Sequence, residues 1–159
     1  PRSTLFPYTT LFRSCDTSTK QKLGQKFAKY LNFIEGPSGK DEGIDGIVEY
    51  NGKKIVFQSK LKKGILGVDE AKIFFFDFER HSMDVGIYLA GSGYSKAFKD
   101  LSDKKIASAK EKLGQLWEVH FLTLLDLLTE NEIFQKALTV LPPLSKYSEI
   151  LQGKNLKYF

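Results

Sequence analysis

The spacing of apolar residues along this chain changes repeatedly, and each change marks a new element. From Thr19 to Leu31 the residues Leu23, Phe27, Tyr30 and Leu31 recur at i, i+4, i+7 and i+8, one apolar stripe of a helix. A short extended piece, Asn32–Glu35, then meets the loop Gly36-Pro37-Ser38-Gly39. The segments Ile44–Tyr50 and Lys53–Ser59 are rich in β-branched and aromatic residues and read as strands. Val68–Arg80 is helical again, with Ala71, Phe74, Phe75 and Phe78 on one face and Ile73 and Phe76 off it. Asp84–Ala90 is short and continuously apolar after Asp84, the mark of a buried central strand bounded by Gly91-Ser92-Gly93. Ser95 is an N-cap candidate for a helix from Lys96 to about Leu113. Leu116–Phe121 reads as a further strand. Thr123 with Asp126, and Thr129 with Glu132, have the spacing of capping boxes and predict two short helices, the second ending before Pro142-Pro143. The elements predict one α/β domain, a mixed β-sheet flanked by helices on both sides.

Asn51-Gly52 joins the two strands of the hairpin. Both residues tolerate positive φ, as a type I′ turn requires. A two-residue turn sets Tyr50 opposite Lys53, Asp45 opposite Gln58 and Gly43 opposite Lys60. Directly opposed residues share a face, and Gln58 and Lys60 share one by alternation. This register therefore predicts an acid, an amide and an amine on one patch. A bulge between Gly46 and Val56 would shift the register and turn Asp45 to the other face.

Length and composition change the picture little. A chain of 159 residues with 42% apolar content can bury a core as one domain. No apolar run reaches the ~18 residues of a membrane span. One cysteine excludes a disulfide framework and suits the cytoplasm. Thr4–Ser14 resembles the translation of a short-read sequencing adapter. Residues 1–14 are accordingly expected to be an artefact or a tail that packs against nothing, with a domain over 15–141 and an unassigned tail over 142–159. The formal charge of +5 includes Arg2 and Arg13 of that segment. Mild basicity is compatible with nucleic acid as a partner. Lys62, Lys63 and Lys96 are candidate phosphate contacts, and an interspersed solvated face is the plainer alternative. His81 and His120 lack the paired spacing of a zinc site.

The sequence Asp41-Glu42-Gly43-Ile44-Asp45-Gly46, followed by the hairpin and Gln58-Ser59-Lys60, resembles the PD-(D/E)XK nuclease superfamily. Within it the pattern is most similar to the Mrr-like restriction endonucleases, where Gln often stands for the acid before x-Lys. The resemblance extends over the order of elements to about Leu128. It implies a restriction-endonuclease-like sheet and a Mg²⁺-dependent DNA endonuclease, with Mn²⁺ as a substitute metal, acting in restriction of foreign DNA. It also implies Asp45 and Gln58 as metal ligands with the Ser59 carbonyl as a third, and Lys60 serving the attacking water or the phosphoryl charge. In the family the first helix often carries a further Glu after G-x-x-F. Here Gly24-Gln25-Lys26-Phe27 is followed by Ala28. Asp41 and Glu42 on the entering loop are the candidates to supplement Asp45. The chemistry is coherent, because Mg²⁺ takes hard oxygen ligands and often only one or two carboxylates. A junction resolvase would use the same chemistry.

The competing reading is a binding module of the same fold that docks DNA or a partner protein without cutting. It needs only the basic face, and Asp45–Lys60 is then a cross-strand ion pair of little energetic weight. Ile73 and Phe76 are candidates for a homodimer contact.

Overall fold

The computed structural model describes residues 16–35 and 43–143. The expectations for residues 1–14, for Asp41 and Glu42, and for the tail from 144 onward lie outside the described residues. The first helix, α1 (Thr17–Tyr30), starts at Asp16, whose Oδ1 accepts from the Thr19 N–H at 2.6 Å. A two-residue strand β1 (Ile34–Glu35) follows, then β2 (Gly46–Tyr50) and β3 (Lys53–Lys60). Helix α2 (Val68–Arg80) leads to β4 (Val85–Ala90), and helix α3 (Lys96–Ser108) ends in a π-helical turn, Ala109–Leu113. Strand β5 (Glu118–Thr123) and the short helices α4 (Leu124–Thr129) and α5 (Glu132–Leu138) close the domain.

The sheet order β1-β2-β3-β4-β5 follows the chain. The first two pairings are antiparallel and the last two parallel. Parallel neighbours need crossovers, which α2 and α3 supply. Both step the same way across the sheet and pack on the same face, where Phe74, Phe75, Phe78 and Phe98 meet Val56 and Tyr88. On the other face α1, α4 and α5 cover Ile55, Phe57, Val85, Ile87 and Leu122. The predicted mixed α/β sheet with helices on both sides is the observed architecture. Every residue of β4 is buried, as its unbroken apolar run requires of a strand covered twice. No helix among the described residues is long and apolar enough to cross a membrane.

Several predicted boundaries move by a residue or two, and two of the moves have a local cause. The strand expected over Leu116–Phe121 occupies Glu118–Thr123, because Gly114 turns the chain at φ 64° and the parallel register begins at Val85↔Glu118. The second cap is Asn131, not Thr129. Thr129 still lies in α4, where its Oγ1 donates to the Leu125 carbonyl at 2.7 Å. Glu130 ends that helix at φ 49°, and Asn131 Oδ1 then accepts from Ile133 and Phe134. The Thr123–Asp126 box forms as predicted.

Candidate active site

Asn51 and Gly52 adopt φ 51° and 72°, the pair of left-handed residues the two-residue turn demands. From there the ladder runs in the predicted register, Tyr50↔Lys53 to Gly46↔Phe57. It stops one residue before Asp45. The Asp45 N–H donates to the Phe57 carbonyl at 3.0 Å, so two residues of one strand address a single residue of the other. Ile44 consequently packs with Val56, on the face that strict alternation would deny it.

Asp45 turns with this slip, and its predicted juxtaposition with Gln58 is overturned. Its Oδ2 accepts from Ser59 N–H at 2.6 Å and from Ser59 Oγ at 2.8 Å. The pair lies against α1, where a Cβ on Gly24 would fall 2.2 Å from Ser59 Oγ and 3.4 Å from Asp45 Oδ2. Gln58 projects from the opposite face, next to Ser59 in the strand but beneath α2. The physical cause is the bulge: one extra residue reverses every side chain beyond it.

Glycine in a helix costs about 1 kcal/mol relative to alanine, and at Gly24 the close approach of Ser59 justifies it. Gly24→Ala should nonetheless lower the urea midpoint, since overpacking costs about 1–3 kcal/mol. An unchanged or higher midpoint would show that Ser59 can move away. Ala28, where the family often has Glu, is fully buried, and a Cβ on Gly46 would sit 3.2 Å from its own. The position belongs to the core and has no room for a carboxylate.

Burial raises the Asp45 carboxyl above its usual range, and the two Ser59 donors oppose that without cancelling it. Ser59 presents its N–H towards the β2 side, so its carbonyl faces the same edge, where the ladder has already ended. Gln58 is only 6% exposed, and its Oε1 has no hydrogen-bond partner among the described residues. An orphaned buried acceptor of this kind costs about 1–3 kcal/mol. Lys60 stands exposed at the end of β3, with no ion pair to a described residue.

The predicted set of Asp45, Gln58 and Ser59 does not fit one Mg²⁺ shell. Asp45 and Ser59 meet at the fork between β2 and β3, while the Gln58 amide lies on the other side of the sheet. Among the described residues no three His, Cys, Asp or Glu side chains gather closely enough to hold a metal ion.

The lysines do converge. The loop after β3 and the loop after β4 are joined by Leu66 N–H to Gly93 O at 2.9 Å and Ser95 N–H to Leu66 O at 2.9 Å. Lys60, Lys62, Lys63 and Lys96 therefore share the end of the sheet formed by the C-termini of the parallel strands. Lys62 is paired with Glu70, whose carboxyl it pulls below the usual range by hydrogen bonding. Lys96 is paired with Asp100 at 2.7 Å. Lys63 is exposed, and its carbonyl accepts from Ser92 Oγ at 2.7 Å.

Asp77 is the polar residue the sequence reading missed. It is 7% exposed on α2, inside the stripe of Ala71, Phe74, Phe75 and Phe78. An acid within an otherwise apolar helical face was the available signal. His120, by contrast, is accounted for by Glu118 Oε1 at 3.0 Å.

No protein-family model matches this chain, and no curated protein is similar to it.

Proposed function

We propose that this chain is a DNA endonuclease of restriction-endonuclease-like architecture, resembling the Mrr-like enzymes and acting in the cytoplasm on foreign DNA. One observation carries the reading. The sheet forks where an acid, Asp45, meets the strand end Gln58-Ser59-Lys60. That fork lies at the C-terminal ends of the parallel strands, where open α/β sheets bind their ligands. Lys60, exposed at the strand end although its side chain leaves from the Gln58 face, offers an ammonium to the charge that grows on the phosphoryl oxygens. Asp45, made more basic by burial, is suited to accept a proton from an attacking water. Lys62, Lys63 and Lys96 hold the DNA backbone without regard to sequence. The resemblance also implies Mg²⁺ or Mn²⁺, which Asp45 and the Ser59 carbonyl at the fork would hold and which would supply charge neutralisation and a more acidic water.

Nicking of supercoiled plasmid in Mg²⁺, in Mn²⁺ and in EDTA tests the reading. Wild type should nick with metal only. Lys60→Ala should lower the rate by about 10²–10³-fold, the usual cost of a lost charge-stabilising donor, with an unchanged melting temperature because Lys60 is exposed. A wild-type protein that never nicks with either metal overturns it.

A second reading has its own observation. Asp45 Oδ2 already receives two Ser59 donors, and Gln58 is turned inward. That favours a module of the same fold that binds DNA, or docks a partner, without cutting. Under it, removing Lys60 would only reduce the salt slope of binding by about 0.9. Ile73 and Phe76, 57% and 62% exposed, are the proposed contact for a second copy.

A further inference from the structure

We propose that the free edge of β5 pairs antiparallel with β5 of a second copy of this chain, running one sheet through both. The two edges of the sheet are unlike. β1 is two residues long, which blunts it, whereas β5 runs Glu118–Thr123 in unbroken register with β4. Neither Lys nor Pro guards β5. The Glu118 N–H donates to the Asp84 carbonyl at 3.1 Å, so Glu118, His120 and Leu122 address β4. By alternation Trp117, Val119 and Phe121 turn their N–H and C=O groups to the free edge, where no described residue bonds them. Such groups are obligatory hydrogen-bonding partners, and a row of them is a template for another strand.

The edge selects its occupant because it is complementary to itself. With Val119 opposite Val119 of the second copy across a two-fold axis, Trp117 faces Phe121 of the second copy. All three outward residues then exchange both of their backbone bonds. The aromatic pair lies on the face where Trp117, Val119 and Phe121 already pack as half-buried side chains. On the other face Glu118 falls opposite His120 of the second copy, the same two side chains that meet at 3.0 Å within one chain. Leu116, 76% exposed, falls opposite Leu122 of the second copy. Neighbouring registers are worse. An axis at Glu118 opposes two carboxylates. An axis at His120 sets Trp117 against Thr123, whose N–H is spent on Asp126 Oδ2 at 2.7 Å. The contact is separate from Ile73 and Phe76 on α2, and it rests on neither functional reading.

Sedimentation velocity of the full chain over a dilution series tests the pairing. A contact of one strand is small, so the dimer should dissociate in the micromolar range. Trp117 is the only tryptophan in the chain, and its emission should shift as the dimer dissociates. Val119→Pro removes an N–H that points away from the sheet, a place where an edge strand tolerates proline. Val119→Lys opposes two ammonium groups across the axis. Each should weaken association by at least tenfold, while Phe76→Ser should dimerise as wild type does. Melting curves report whether each variant folds. If Val119→Pro does not fold, Val119→Lys decides. If neither folds, the wild-type emission decides, and a constant Trp117 signal through dissociation overturns the proposal. A full chain that stays monomeric at millimolar concentration overturns it and leaves the edge to another occupant. A dimer kept in both folded Val119 variants, or lost in Phe76→Ser, overturns it as well.

Discussion

Phe74→Ala should cost about 3–5 kcal/mol, the price of emptying a buried aromatic site. A domain of this size has about 5–15 kcal/mol in total, so the variant should melt far below the parent or lose its cooperative transition. Phe74 is 1% exposed and stacks on Tyr88 with centroids 4.8 Å apart and planes at 5°. Phe75, Phe78 and Phe121 pack around it at 5.1, 5.8 and 6.3 Å. The ring also fills the space over β4 at Gly86, where a Cβ would meet Phe74 Cζ at 2.8 Å. No neighbour can collapse into the hole, because the others are held by their own partners. Phe76→Ala is the internal control. That ring lies two residues away and faces solvent, so its loss should shift stability by less than about 0.5 kcal/mol. Similar losses in the two variants, read by chemical denaturation, would show that α2 does not hold the sheet as described.

The second large effect separates stability from activity at one residue. Asp45→Asn should abolish plasmid cleavage under the endonuclease reading and leave the fold as stable as the parent at neutral pH, or more so. Burial makes the ionised Asp45 costly, and this outweighs the two Ser59 donors. The folded protein therefore holds the Asp45 proton more tightly than the unfolded chain does. Stability contributed by this group is present below the ordinary carboxylate value. It is lost as pH rises through that value to the raised folded one. Asparagine keeps an oxygen for the Ser59 N–H and never ionises, so this pH-dependent loss should disappear from its denaturation profile. Asp45→Ala is the contrasting change. It strips both Ser59 donors of their shared acceptor and should cost about 1–3 kcal/mol. Retained nicking in Asp45→Asn would remove Asp45 from the chemistry. A profile identical to the parent as pH rises from about 4, the ordinary carboxylate value, would show that the carboxylate is not strained by burial.

The sequence disclosed what depends on local chemistry. Asn51-Gly52 named its own turn, and the stripe of Ala71, Phe74, Phe75 and Phe78 named the face α2 buries. Ser95 caps α3, accepting from the Phe98 N–H at 3.1 Å. Thr123 and Asp126 cap α4 reciprocally. What stayed hidden depends on contacts made at a distance. The slip at Asp45 has no signature in its neighbours. It follows from Ile44 being drawn to the side of Val56 and from the Ser59 N–H finding a carboxylate where a strand carbonyl would have been. Because one slipped residue inverts a face, the candidate site split in two although every residue in it had been named.

The two halves of the sheet also differ in when they can form. The hairpin of β2 and β3 is complete once Lys60 has left the ribosome, for its pairing needs only its own turn. The far edge of β3 has no partner until Ala90 has followed, and β4 in turn waits for Thr123. During synthesis at roughly 5–20 residues per second, the edge of β3 that pairs with β4, and Val56 on the face that α2 covers, remain open on a nascent chain for a matter of seconds. The parallel half of this fold thus sets an interval in which a strand edge stands open, and Lys53, Lys54 and Lys60 flank its apolar run with the kind of charge that disfavours edge-to-edge pairing.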